Sequence, residues 1–222
     1  LSLGFHKLIP KINQGKPFYV KNICDSLFTW KELEAIINIR PLTNIDRFHT
    51  TAKVNGIEWE SSAWLSDQSS IPAHCLIPII KQGVCWLSDM SRVNKKINTV
   101  CNYIEEQTKG TVDAHIYFDL HKSKINTSLN QHWDLSDNII VQMSGITNFK
   151  VWNIKKTEGE RGVYTEEKPI IDIIMKKGDV VYIPKYLVHQ AVSMSKRLSI
   201  SFPISNREGE LPQDREWINI VS

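Results

Sequence analysis

After Gly110 the hydrophobic pattern of this 222-residue chain changes its period. Val112, Ala114, Ile116 and Phe118 alternate with Asp113, His115, Tyr117 and Asp119, and a repeat of two puts such sets on opposite faces of a strand. Further apolar runs predict strands at about 138–143, 149–154, 170–175, 180–183 and 198–202. Residues 155–169 are charged and broken by glycine and proline, which predicts an exposed loop. Before Gly110 the spacing is helical. Leu33, Ile36 and Ile37 predict a helix over 29–39, with Thr29 and Glu32 as a capping box. Val93, Ile97, Val100, Cys101 and Ile104 form the stripe of a second helix over 91–108, stopped by Gly110. Helices followed by many short strands predict an α+β fold, mainly β, with a small barrel or double-sheet jelly roll as its core. A hydrophobic content of 41% over 222 residues supports one core and does not require a second. The chain therefore reads as a single domain, 1–222, with a mixed helical part (1–110), a barrel core (111–205) and a tail (206–222).

Several partner classes drop out on composition. No apolar run reaches the roughly 18 residues of a membrane span, and the first ten residues lack the apolar stretch of a secretory leader. The absence of an initiator Met is consistent with a piece of a longer protein. The net charge is only +3, and the lysine pairs at 95–96, 155–156 and 176–177 are scattered. That pattern fits solvated faces better than a nucleic-acid groove. The four cysteines, Cys24, Cys75, Cys85 and Cys101, contain no C-x-x-C pair, which argues against a thiolate zinc site. The expectation is a cytoplasmic protein with free thiols.

The chemistry concentrates in QHWDLSDNIIVQMSG, residues 131–145. On an extended strand His132 and Asp134, two apart, point to the same face and can share one ion. A third ligand must come from elsewhere. His189 ends the segment GDVVYIPKYLVH, after a Gly-Asp turn, a short apolar strand and a turn at Pro184–Lys185. Two histidines and one carboxylate make the facial donor set of non-haem Fe(II) oxygenases, which leaves positions open for co-substrate and dioxygen. Alone, an H-x-D pair or a strand-end histidine is more often structural; it is their combination that points to a metal.

With these residues in view, the segment from Ala114 to Ser205 resembles the catalytic core of the JmjC-type 2-oxoglutarate oxygenases. Its nearest likeness is to the ribosomal-protein and asparaginyl hydroxylases. The matching pieces are HIYF at 115–118, HWD at 132–134, VQMSG at 141–145, VW at 151–152 and GDVVYIPKYLVHQA at 178–191, with CWLSDMSRVN at 85–94 before them. The resemblance implies a double-stranded β-helix (cupin) and Fe(II)-dependent decarboxylation of 2-oxoglutarate coupled to hydroxylation. Such enzymes place a lysine or arginine two residues after the glycine of Q-x-x-G to hold the distal carboxylate of 2-oxoglutarate. Here that position is Thr147. Lys150 is near but has the wrong parity to share its face. Arg197, Ser199 and Ser201 alternate with Leu198, Ile200 and Phe202, so one face of that strand is polar. Its bland reading is an edge strand in solvent. Its functional reading is that Arg197 and Ser199 resemble the R-x-S element of other 2-oxoglutarate oxygenases. An arginine fork suits a planar carboxylate, with Thr147 and Tyr117 in support and His115 as a weaker candidate.

The expected substrate is a protein or peptide side chain. A small-molecule hydroxylase and a non-catalytic, metal-binding cupin are the rivals, the latter favoured by Thr147. The tail at 206–222 is shorter than the dimerisation segment and winged-helix domain of the ribosomal hydroxylases, which argues against a ribosomal substrate.

Overall fold

The strands predicted after Gly110 form the walls of a barrel, and the N-terminal part extends one of them. The computed structural model describes residues 4–24, 26–38, 48–51, 53–54, 57–58, 79–120, 129–155, 163 and 165–205. Its N-terminal part contains helices Ile9–Ile12 (α1), Trp30–Asn38 (α2) and Lys95–Thr108 (α3). It also contains strands Phe18–Cys24 (β1), Phe48–Thr50 (β2), Lys53–Val54 (β3), Ile57–Glu58 (β4) and Cys85–Leu87 (β5). Then come Thr111–Val112 (β6), His115–Asp119 (β7), Asp137–Ser144 (β8), Thr147–Lys155 (β9), Ile171–Met175 (β10), Gly178–Ile183 (β11), Leu187–Ser193 (β12) and Arg197–Ser205 (β13).

The large sheet runs β1-β11-β8-β13-β7-β5-β2, with β6 against β13; the small one runs β10-β9-β12, and β3 pairs with β4 alone. From β8 onward the chain crosses between sheets. β8 lies in the large sheet, β9 and β10 in the small, β11 in the large, β12 in the small and β13 in the large. All the pairings are antiparallel. This is the double-stranded β-helix, in an α+β, mainly β fold.

Each face of the large sheet has its own core. On the outer face, Ile116, Phe118, Ile139, Val141, Ile200 and Phe202 pack under the helices, meeting Ile97, Val100, Cys101 and Ile104 of α3. Between the sheets, Val181 and Ile183 meet Phe149, Val151, Met175 and Leu187. That second cluster is small, and it leaves the rest of the barrel interior for the polar faces of β7, β8 and β13.

Local expectations hold with informative shifts. Thr29 caps α2: its Oγ1 accepts from the Glu32 N–H at 3.2 Å and donates to the Glu32 carboxylate at 2.8 Å. Residue 39 of that predicted helix lies outside the described residues. α3 starts at Lys95 rather than at 91, because Asn94 caps it by accepting from the N–H groups of Lys96 and Ile97. The residues before the cap form a 3-10 turn, Met90–Arg92. Its Ser91 hydroxyl donates to Asp113 at 2.8 Å. Lys109, at φ 60°, ends the helix ahead of Gly110. The N-terminal part is less helical than predicted. β1, β2 and β5 are too short or too irregular to show alternation, and β1 pairs with β11, far away in sequence. Of the predicted loop at 155–169, Lys155 belongs to β9 and 166–168 are exposed, while 156–162 and 164, like the tail 206–222, lie outside the described residues.

Gly145 sits where two turns interlock. Its φ is 80°, and a Cβ there would lie 2.0 Å from the Lys196 carbonyl oxygen. Next to it, the Ile146 N–H donates to the Ser195 hydroxyl at 2.8 Å, and the Met194 N–H donates to the Ile146 carbonyl at 2.9 Å. The β8–β9 turn is thereby fastened to the β12–β13 turn.

Candidate metal and co-substrate site

His132 and Asp134 lie in the extended segment that leads into β8, not in a regular strand. A single bridge pairs His132 with His189 of β12. The His132 N–H donates to the His189 carbonyl at 3.1 Å, and the His189 N–H to the His132 carbonyl at 2.8 Å. The Tyr186 N–H then donates to the Asp134 carbonyl at 2.9 Å. Asp137 fixes the turn before β12, accepting from the Tyr182 hydroxyl at 2.7 Å and the Lys185 N–H at 2.8 Å. Backbone pairing thus brings the distant histidine to the H-x-D segment. Ligand atoms of His132, Asp134 and His189 all lie within 4.8 Å of one another.

The hydrogen bonds set the tautomers. His132 Nδ1 is 2.7 Å from the Asn130 carbonyl, and His189 Nδ1 is 3.0 Å from that of Leu187. A carbonyl only accepts, so each Nδ1 carries a proton and each Nε2 keeps its lone pair for a metal. Burial first, and then His132, push the His189 pKa down to about 4 against the pull of Asp134. The ring is therefore neutral near pH 7, as a ligand must be. Asn138 donates to Asp134 Oδ2 at 2.7 Å, and the Ser201 hydroxyl donates to Asn138 at 2.9 Å. Two imidazoles and a carboxylate, oriented this way, fit Fe(II) or Mn(II).

The three side chains border a pocket that also carries Tyr117, Thr147, Arg197 and Ser199 on its wall. Apart from the weaker candidate His115, every site residue proposed from the sequence lines one cavity. The Asp134 side chain is 39% exposed, while Thr147, Arg197 and Ser199 are buried. The pocket thus runs from a wet metal end to a dry polar end. Burial also raises the Tyr117 pKa, so its hydroxyl stays protonated and able to donate.

At the dry end Arg197 faces Asp119 across the β13–β7 pair. Its Nε is 3.2 Å from Asp119 Oδ2. That N–H lacks a well-aligned hydrogen bond, so charge holds the pair. The Ser193 hydroxyl reaches the same carboxylate oxygen from the opposite sheet. Burial works against the Arg197 charge, and Asp119 sustains it. Thr147 donates to Gln142 Oε1 at 3.0 Å, while the Gln142 amide donates to the Ser144 carbonyl at 2.7 Å. Lys150 lies on the other face of β9, with its Nζ 3.6 Å from Asp172. His115 stands 3.8 Å from Asp113 and is not among the residues lining the pocket. Sequence reasoning missed Asp119, Asn138 and Gln142. Their signal was a polar residue at alternate positions of a strand that is otherwise apolar.

The JmjC domain family matches residues 87–210 of the chain. The chain belongs to the JmjC family. Among curated relatives, this JmjC chain is 28% identical over 142 residues to the bifunctional lysine-specific demethylase and histidyl-hydroxylase NO66 of Caenorhabditis elegans, a match covering 57% of the chain and 19% of the relative. It is 22% identical over 214 residues to the protein of the same name from Dictyostelium discoideum, covering 90% of the chain and 38% of the relative. The chain thus spans less than two-fifths of these relatives. In fold it is similar to YcfD, a ribosomal oxygenase from Escherichia coli solved with cobalt and 2-oxoglutarate. The TM-score is 0.62 at 15% identity, over 94% of this chain and 53% of that one.

Proposed function

We propose that this chain is an Fe(II)- and 2-oxoglutarate-dependent oxygenase that hydroxylates a protein or peptide side chain. The observation that carries the proposal is that one pocket holds three convergent candidate metal donors at its open end and a buried arginine at its closed end. His132, Asp134 and His189 would hold the iron. When bound, the iron supplies the redox chemistry that couples decarboxylation of 2-oxoglutarate to succinate with oxidation of a substrate C–H bond by dioxygen.

The chain's own residues do the rest. Asn130 and Leu187 hold the imidazoles in the ligating tautomer through their carbonyls, and Asn138 orients the Asp134 carboxylate. Arg197 supplies the cation that a buried carboxylate requires, and Tyr117 and Ser199 add hydroxyls beside it. Thr147 can join them only by turning its hydroxyl away from Gln142. The metal end, where the Asp134 side chain is partly exposed, is where a large substrate would approach. Relatives named histidyl-hydroxylase and ribosomal oxygenase support a protein side chain as that substrate.

The test is succinate formation by the iron-loaded protein. Conversion of 2-oxoglutarate that needs Fe(II), and that is lost in Asp134→Ala, is expected. Iron-loaded protein that forms no succinate even with extracts containing native substrate would favour a non-catalytic cupin.

A further inference from the structure

The basic residue at the closed end of the pocket is already paired. Arg197 and Asp119 are cross-strand partners on β13 and β7, 3.2 Å apart, and both are buried. Ser193 fastens Asp119 from the small sheet, so the carboxylate is fixed in place. On the reading that Arg197 anchors the distal carboxylate of 2-oxoglutarate, that carboxylate enters beside a resident one. We propose that Asp119 sets the affinity for 2-oxoglutarate. It is a built-in counter-charge that stabilises the empty pocket and that the co-substrate must work against.

Two opposing effects follow from one contact. In the empty pocket, a buried guanidinium without an anion is costly, and Asp119 removes that cost. In the occupied pocket, two carboxylates share one guanidinium, and their repulsion is poorly screened away from water. Asp119 approaches Arg197 at Nε, which leaves the two terminal nitrogens for an end-on contact with the ligand. The result is an anchor that holds the co-substrate less tightly than an unpaired arginine would, so that occupancy follows its concentration.

The test uses Mn(II)-loaded protein and two 2-oxo acids, 2-oxoglutarate and 2-oxopentanoate, which lacks the distal carboxylate. Asp119→Asn keeps the shape and removes the charge. It should bind 2-oxoglutarate about tenfold more tightly, the size expected when one nearby buried charge is removed. Binding of 2-oxopentanoate should not change, which a merely structural effect would not spare. The melting temperature of the empty protein should fall, and 2-oxoglutarate should raise it by more than in the parent. Asp119→Ser serves the same purpose if the Asn variant does not fold. Weaker or unchanged 2-oxoglutarate binding would overturn the proposal, as would equal changes for both ligands. The neutral pair Asp119→Asn with Arg197→Gln separates the two layers. If that pair still prefers 2-oxoglutarate over 2-oxopentanoate, Arg197 is not the anchor, and this inference falls with it. If it loses the preference while Asp119→Asn alone changes nothing, the anchor stands and only the role of Asp119 is wrong.

Discussion

At the scale of the residue, parity decides which cation can serve the pocket. Thr147 and Phe149 face inward on β9, and Lys150 between them and Val151 faces outward to Asp172. Arg197 faces inward from β13. Arg197→Lys keeps a positive charge opposite Asp119 but loses the fork. A charge-assisted bidentate contact is worth about 1.5–3 kcal/mol, and losing half of it should weaken 2-oxoglutarate binding roughly four- to tenfold. Lys150→Ala should leave the dissociation constant unchanged. Titration calorimetry on Mn(II)-loaded protein reads both, and the reverse pattern would make Lys150 the anchor. Arg197→Ala is a poorer probe, because it strands the Asp119 charge in the interior at a cost of about 3–5 kcal/mol in stability. The sequence showed the polar face of β13 but not this pairing. Asp119 and Arg197 are 78 residues apart (197 − 119), and only the sheet order makes them neighbours.

At the scale of the element, what could be read early was whatever repeats within a few residues. The stripe of α3, the Thr29 cap and the alternation in β7 and β13 were all visible because their partners are local. β12 was not. LVHQAVS carries mixed polarity, and its strand character comes from pairing with β9. His132 and Asp134 were expected on a strand, yet their shared direction comes from extended backbone pinned by one bridge to His189. The same dependence on distant turns applies to Gly145. Gly145→Ala would force a Cβ into the Lys196 carbonyl at a left-handed φ, with a stability loss of about 2–4 kcal/mol. Thermal or urea denaturation should show it as a large drop in midpoint. A loss below about 0.5 kcal/mol would mean that the interlocked turns can move apart freely.

At the scale of the whole molecule, the two sheets divide the work. The large sheet buries its outer face under the helices and turns its inner polar face to the pocket. The small sheet supplies His189 and Ser193, and the apolar plug between the sheets fills the remaining interior. Among the described residues no helix is long and apolar enough to cross a membrane. The proposed metal donors come from the H-x-D segment and from β12, so an ion at the site would tie those two parts of the chain together, and its binding free energy would add to the stability of the fold. The most direct measurement is the metal stoichiometry of the protein and its three ligand variants, read with Mn(II) by equilibrium dialysis and electron paramagnetic resonance. The account predicts one bound Mn(II) per chain in the parent, and little or none in His132→Ala, Asp134→Ala and His189→Ala while each remains folded. Full metal content in all three variants would contradict it.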